Sequence, residues 1–213
     1  MRSGASRTVH PIELRSLRIL RSRVDTSRLG YWSRAVTERM IHASADIAYF
    51  ADLVLSEAAL VEAARALEGG VGIVADTGMV AAGVTSAKVT ALIGDPETAR
   101  LARELGGTRA SAAMHLAARR VGPGAIWVIG NAPTALEAVV DLAEKIRPTL
   151  VIGVPVGFVG AAESKARLRA SGLPSVSNVS EKGGSAVAAA AVNALLYGDP
   201  LGGAEIAERE GQA

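Results

Sequence analysis

The chain contains no cysteine. Disulfides, thiolate metal sites and cysteine nucleophiles are therefore excluded. Aromatic residues make up only 3% of it, too few for a surface that stacks nucleobases. Charge of one sign does not accumulate either: 23 Lys and Arg against 21 Asp and Glu leave a formal charge of +2, although the sequence pI is about 9.2. That small charge argues against a nucleic-acid partner. No apolar run reaches membrane-spanning length, and the N-terminus lacks the apolar stretch of a signal peptide. A soluble, cytoplasmic protein without a membrane partner is the expectation. His10, His42 and His115 are not spaced as a zinc set, so no metal site is expected. The nucleotide signatures are missing as well: there is no G-x-G-x-x-G after a strand, no G-x-x-x-x-G-K-[ST] loop and no G-x-S-x-G elbow.

What is present is a large apolar reserve, 49% of 213 residues and mostly Ala, Val and Leu, enough for the core of one α/β domain. Residues 125–168 are the clearest stretch. Ala125–Ile129 reads as a strand buried on both faces. Gly130-Asn131 breaks it, and Pro133 stands where a first helical residue belongs. Leu136, Val139, Val140 and Ala143 form a helical stripe that ends at Arg147-Pro148. Leu150–Val154 is the next strand, Gly157 and Gly160 loosen the turn after it, and a helix starts near Ala161. Such a βαβα unit demands parallel strands and a right-handed crossover.

Around it, His10–Arg23 reads as an amphipathic helix or arm, and Ser33–Phe50 as a longer helix carrying His42. Glu57–Leu67 follows as a helix capped by Ser56. Strands are expected at Val71–Ala75, Val89–Ile93 and, more polar and so at an edge, Ser175–Val179. Helices are expected at Met79–Gly83, from Asp95 to Leu105, from Arg109 to Val121, and at Ala186–Leu196. There is no internal repeat. The expected fold is a three-layer α/β/α domain over residues 1–197. Its sheet would hold five parallel strands in the flavodoxin-like order 2-1-3-4-5, with extra N-terminal helices. A loose lead-in is expected at residues 1–9 and a mobile tail at 198–213.

In such sheets ligands bind beyond the carboxyl ends of the strands. That directs attention to the turns at Asp76-Thr77-Gly78, Gly130–Thr134 and Pro155–Gly160. His42 can exchange a proton near neutral pH and has small neighbours in Ala43, Ser44 and Ala45; equally, it suits a structural histidine. Asn131 can face a ligand or cap its helix. The helix start at Gly183-Gly184-Ser185 can bind an anion through free N–H groups or pack closely. Arg109 sits at a helix start, where a cation is unfavourable, which points to an anionic partner. Seven arginines from Arg2 to Arg28 make the first segment basic; a solvated helix face and an anion-contacting surface both fit.

Taken together, these pieces resemble the precorrin-8X methylmutase (precorrin isomerase) family of corrin biosynthesis. The matching segments are His10–Glu13 with Arg15-Ser16; Glu38–Asp46; Asp76–Gly83; Thr108-Arg109; Gly130–Leu136; Gly153–Lys165; and Lys182–Ser185. The resemblance spans about His10 to Leu196. It implies a cofactor-free, homodimeric isomerase with a tetrapyrrole bound near the subunit interface. The reaction would move a methyl group from carbon 11 to carbon 12 of precorrin-8X, giving hydrogenobyrinic acid or its cobalt form. It makes His42 the catalytic acid/base and places Ser16 and Arg39 at the substrate. Arg15, Arg39, Arg109 and Lys182, with the amides of Gly183–Ser185, are then candidates for the carboxylates. Met79, Val80, Val156 and Phe158 are candidates for an apolar floor. Asp76, Thr77, Asn131 and Gly157 complete the candidate substrate-binding set. One departure is Ser180-Glu181 before Lys182, where the family carries Gly-Arg; an acid there would repel a carboxylate unless it pairs or points away.

A methyl shift changes no oxidation state, which agrees with the missing nicotinamide and flavin motifs. A corrin carrier that holds the macrocycle without converting it is the competing reading. A nucleotide-dependent oxidoreductase or methyltransferase is a third, disfavoured by the absent glycine-rich first turn.

Overall fold

The computed structural model describes residues 10–201. The lead-in at 1–9 and the tail beyond 201 lie outside the described residues. In chain order the elements are α1 (Pro11–Arg23), α2 (Tyr31–Ser44), α3 (Tyr49–Asp52), β1 (Leu53–Leu55), α4 (Glu57–Glu68), β2 (Ile73–Ala75), α5 (Gly78–Gly83) and β3 (Val89–Ala91). Then follow α6 (Pro96–Leu105), α7 (Arg109–Arg120), β4 (Ile126–Ile129), α8 (Pro133–Asp141), α9 (Ala143–Ile146), β5 (Leu150–Gly153), α10 (Ala161–Ala170), β6 (Ser175–Asn178) and α11 (Ser185–Tyr197).

One mixed sheet runs β1-β6-β5-β4-β2-β3. The five strands from β2 onward pair in parallel, while β1 joins β6 antiparallel with Leu53 opposite Asn178. The wholly parallel five-stranded sheet expected above is thus corrected to a six-stranded mixed one. The strand missed is Leu53-Val54-Leu55, too short to show a period. Its presence also moves Ser175–Asn178 from the edge to an inner position. The polar residues of β6 are there for pairing: Ser177 and Asn178 are fully buried.

β4 and β5 are buried at every position, as an apolar strand covered on both faces must be. One face packs against α1, α2, α4, α5 and the Ala-rich α11. The other packs against α7, α8 and α10. Alanines along α11 let it approach the sheet closely, so that a Cβ on Gly130 would meet Ala188 Cβ at 2.8 Å.

The single helix expected over Ser33–Phe50 is split. α2 ends at Ala45, which is left-handed at φ 53°, and Ser44 Oγ turns back onto Met40 O at 2.9 Å. Asp46 then accepts the Ala48 N–H at 2.9 Å and starts the short α3. A hydroxyl bonded back to the previous turn and an aspartate free to cap are local alternatives to helix continuation. The break presents the last turn of α2, with His42, at the surface.

The first four residues of the expected mobile tail are partly folded in: Asp199 is buried and pairs with Arg21 at 2.8 Å. Arg21 also chelates Glu38 at 2.9 and 3.0 Å. One arginine of the basic segment therefore serves an internal network that ties α1 to α2.

Candidate active site

Two helices meet at the site. Ser16 on α1 and His42 on α2 are joined by a 2.8 Å hydrogen bond between Ser16 Oγ and His42 Nδ1. Among the described residues nothing in the structure bonds Nε2. His42 borders a hollow of about 280 Å³ with Arg39, Gly83, Ala189 and Asn193. It also borders a smaller one of about 130 Å³ with Ser16 and Ile19. The floor of the larger hollow is made of small residues because α5 and α11 touch there: a Cβ on Gly83 would stand 2.7 Å from Ala189 Cβ. Asn193 closes one end. It accepts the Thr85 N–H at 3.2 Å and donates to Gly83 O at 2.8 Å. Beside it the Tyr197 hydroxyl meets Thr85 and Ser86 at 2.7 and 2.6 Å.

Arg39 lies one helical turn before His42, but its guanidinium is ion-paired to Glu13 and lies 5.9 Å from the Tyr197 ring centroid. It is therefore not a free cation. Arg15, next to Ser16, is exposed.

A second group lies at the carboxyl ends of the strands. β2 and β4 are neighbours, and Asp76 after β2 accepts the backbone N–H groups of Gly130, Asn131 and Ala132 at 3.2, 2.8 and 3.0 Å. Asp76 is fully buried, and burial pushes its carboxyl up against those bonds. The Asp76 carboxylate thus holds the turn at Gly130–Ala132 from within. Thr77 is likewise occupied, accepting the Val80 N–H at 3.2 Å to cap α5. Asn131 does not cap α8; Ala132 holds that position without a side-chain bond. Its exposed side chain is therefore available to a ligand. Thr108 and Thr134 hydroxyls meet at 2.8 Å and bring the starts of α7 and α8 together. There Arg109 donates to Ile93 O at 3.0 Å, a neutral partner that leaves most of its charge available.

The loops after β5 and β6 are zipped together. Gly157 N–H donates to Glu181 O at 3.1 Å, and Gly184 N–H to Val154 O at 3.0 Å. The Gly184 amide is thus already engaged, which corrects its place among the free anion-binding amides before α11. Ser185 opens α11. Lys182 pairs with Asp46 at 2.6 Å, not with Glu181, whose side chain is exposed. Val80 is fully buried and is corrected out of the apolar floor, whereas Met79, Val156 and Phe158 stand 74%, 45% and 97% exposed. Large apolar side chains so exposed around a site are what a broad hydrophobic ligand or a second subunit would cover.

Asn193, Tyr197, Asp52 and Lys165 lie outside the set of site residues to which the sequence points. Asn193 sits in an Ala-rich helix that reads as plain core, and a polar residue on its buried face was the one available signal.

Comparison with known proteins gives this geometry its class. The precorrin-8X methylmutase family model matches residues 11–198. The chain is 42% identical over 163 residues to the cobalt-precorrin-8 methylmutase of Methanocaldococcus jannaschii, covering 76% of this chain and 77% of that one. It is 39% identical over 191 residues to the precorrin-8X methylmutase of Sinorhizobium sp, covering 85% and 90%. A crystal structure of precorrin-8X methylmutase from Thermus thermophilus superposes with a TM-score of 0.79 at 36% identity, over 87% of this chain and 93% of that one. The protein is an intramolecular methyl-transferring isomerase. It belongs to the precorrin-8X methylmutase family. Among the described residues no helix is long and apolar enough to cross a membrane.

Proposed function

We propose that the chain converts precorrin-8X, or cobalt-precorrin-8, to hydrogenobyrinic acid or its cobalt form by moving the methyl group from carbon 11 to carbon 12, with His42 as the acid. The observation that carries the proton role is the Ser16–His42 bond of 2.8 Å. As imidazolium, His42 donates Nδ1–H to Ser16 Oγ and keeps Nε2–H for the substrate. Protonation of the macrocycle makes it electron-poor, the methyl group migrates with its bonding pair to the adjacent carbon, and the proton returns to Nε2. Nothing is oxidised or reduced.

The exposed Met79, Val156 and Phe158 form the apolar rim for the macrocycle, and Arg15, Arg109, Lys182 and Asn131 meet its polar arms. Lys182 would exchange Asp46 for a substrate carboxylate. The protein acts as a cytoplasmic homodimer, and the partner copy shields what the rim leaves open. Relatives at about 40% identity carry both the cobalt and the metal-free names, so the site is read as selecting the macrocycle and not its metal.

The test is the visible spectrum of the purified protein with metal-free precorrin-8X and, separately, with cobalt-precorrin-8. Methyl migration changes the conjugation, so conversion to the product spectrum is expected with at least one. A spectrum that moves on binding and never converts with either substrate would leave a corrin carrier. Ser16→Ala is expected to retain binding and lose roughly tenfold in kcat, because the ring loses the hydrogen bond that orients it. Single-turnover kinetics on that variant read the loss directly.

A further inference from the structure

Lys165 is fully buried, and the isomerase chemistry does not use it. Its ammonium faces inward from α10 and meets the end of β6 and the segment that follows it. It donates to Asn178 Oδ1 at 3.0 Å, to Lys182 O at 2.7 Å and to Ser180 O. An ammonium has three protons, and each is given to a different residue of one short loop. From the opposite side Asp52, at the end of α3, accepts from the same loop: Val179 N–H and Ser180 N–H at 3.0 and 2.8 Å, Ser180 Oγ at 2.7 Å and Asn178 Nδ2 at 2.9 Å. A buried cation and a part-buried anion thus grip the loop without touching each other, Asn178 and Ser180 lying between them.

The gripped loop ends at the crevice. Its next residues place Lys182 against Asp46, press Gly183 onto the end of β5 and start α11. We propose that Lys165 is a positioning residue of the substrate site, fixing the backbone of residues 178–182 so that Lys182 and the start of α11 are held ready for the ligand's carboxylates. The proposal rests on the functional reading above for the identity of the ligand, while the grip itself rests on the bonds alone. Burial holds the Lys165 ammonium down to about 8, with Asp52 and Glu181 opposing that shift and Arg169 adding to it. The group is therefore a cation at neutral pH, as the three donated bonds require.

The experiment compares wild type with Lys165→Met and Lys165→Arg after melting curves have shown which variants fold. The methionine keeps the stem and removes all three donors. The arginine keeps the charge but presents a planar fork, which cannot reach three acceptors converging on one nitrogen. Two readouts are taken: trypsin cleavage at Lys182–Gly183, followed by mass spectrometry, and kcat and KM for precorrin-8X. The expected result is cleavage at Lys182 accelerated roughly tenfold and KM raised roughly tenfold, with kcat unchanged. Wild-type cleavage at Lys182 in a folded variant overturns the grip. Faster cleavage with an unchanged KM overturns the link to substrate, and so does a fall in kcat at constant KM. Wild type that turns over neither substrate refutes the functional reading instead, and the trypsin arm still decides the grip.

Discussion

Replacing His42 with alanine should abolish methyl migration while leaving the ligand bound. The imidazole sits on the surface turn of α2, where alanine is an excellent helix residue, and it makes one side-chain bond, to Ser16. Its removal therefore costs little stability, and the melting temperature should stay within a degree or two of wild type. The rate should not stay. A positioned general acid contributes about 10²–10⁴-fold, and among the described residues no substitute stands next to it. Arg39, one helical turn away, is a guanidinium already paired with Glu13. Binding should persist, because Met79, Phe158, Arg109 and Lys182 lie on other elements. Titrating His42→Ala with precorrin-8X should give the binding change in the spectrum and then no conversion over many wild-type turnovers. A variant that converts substrate at more than about a tenth of the wild-type rate would remove His42 from the chemistry, since even the low end of the expected effect exceeds that.

The same contrast between cheap surface positions and costly buried ones explains what could be read from the sequence. The strands β4 and β5 and the helices between them were legible because burial on both faces leaves an apolar run, and because Pro133 and Pro148 punctuate it. The adjacency of the Asp76 and Asn131 turns also followed from the expected order of the parallel strands, and the three N–H bonds to Asp76 put them in contact. β1 was not legible, since three residues after a four-residue helix carry no period. His42 stood out by chemistry, being one of three histidines, but its bond to Ser16 spans 26 residues. Only the packing of α1 on α2 creates it. Charged residues were the hardest to place. Arg39 and Lys182 look alike in sequence to Arg15, yet they already have acids for partners. Lys165 is a lysine in a charged-looking helix start, and nothing local says that it is buried. Long side chains reveal their role only when their partners are known, and those of Lys165 are 13 to 17 residues away in the chain.

Gly183→Ala should be the most damaging alanine substitution among the described glycines. A Cβ at this position would stand 2.1 Å from Val154 O and 2.6 Å from Pro155 O. Both obstacles are backbone, and Val154 O is also the acceptor for the Gly184 N–H at 3.0 Å. The methyl therefore has to push the β6–α11 loop off the end of β5 and break that bond. Overpacking of this kind costs about 1–3 kcal/mol, with the lost bond in addition, so a fall of roughly 5–10 °C in melting temperature is expected for a chain of this size. Turnover should suffer more than stability, because the displaced loop carries Lys182 and starts α11. Gly184→Ala is the control that separates space from conformation. Gly184 has φ 127°, and nothing lies within 4 Å of an added Cβ. It should lose stability through backbone strain alone, about 1–3 kcal/mol, without moving the loop off β5. Melting curves, with precorrin-8X turnover for both variants, decide the matter. If Gly183→Ala retains wild-type turnover, the close seat of the loop on β5 is not needed for the reaction. If Gly184→Ala alone loses turnover, the conformation at the start of α11 governs the site, and the contact with Val154 does not.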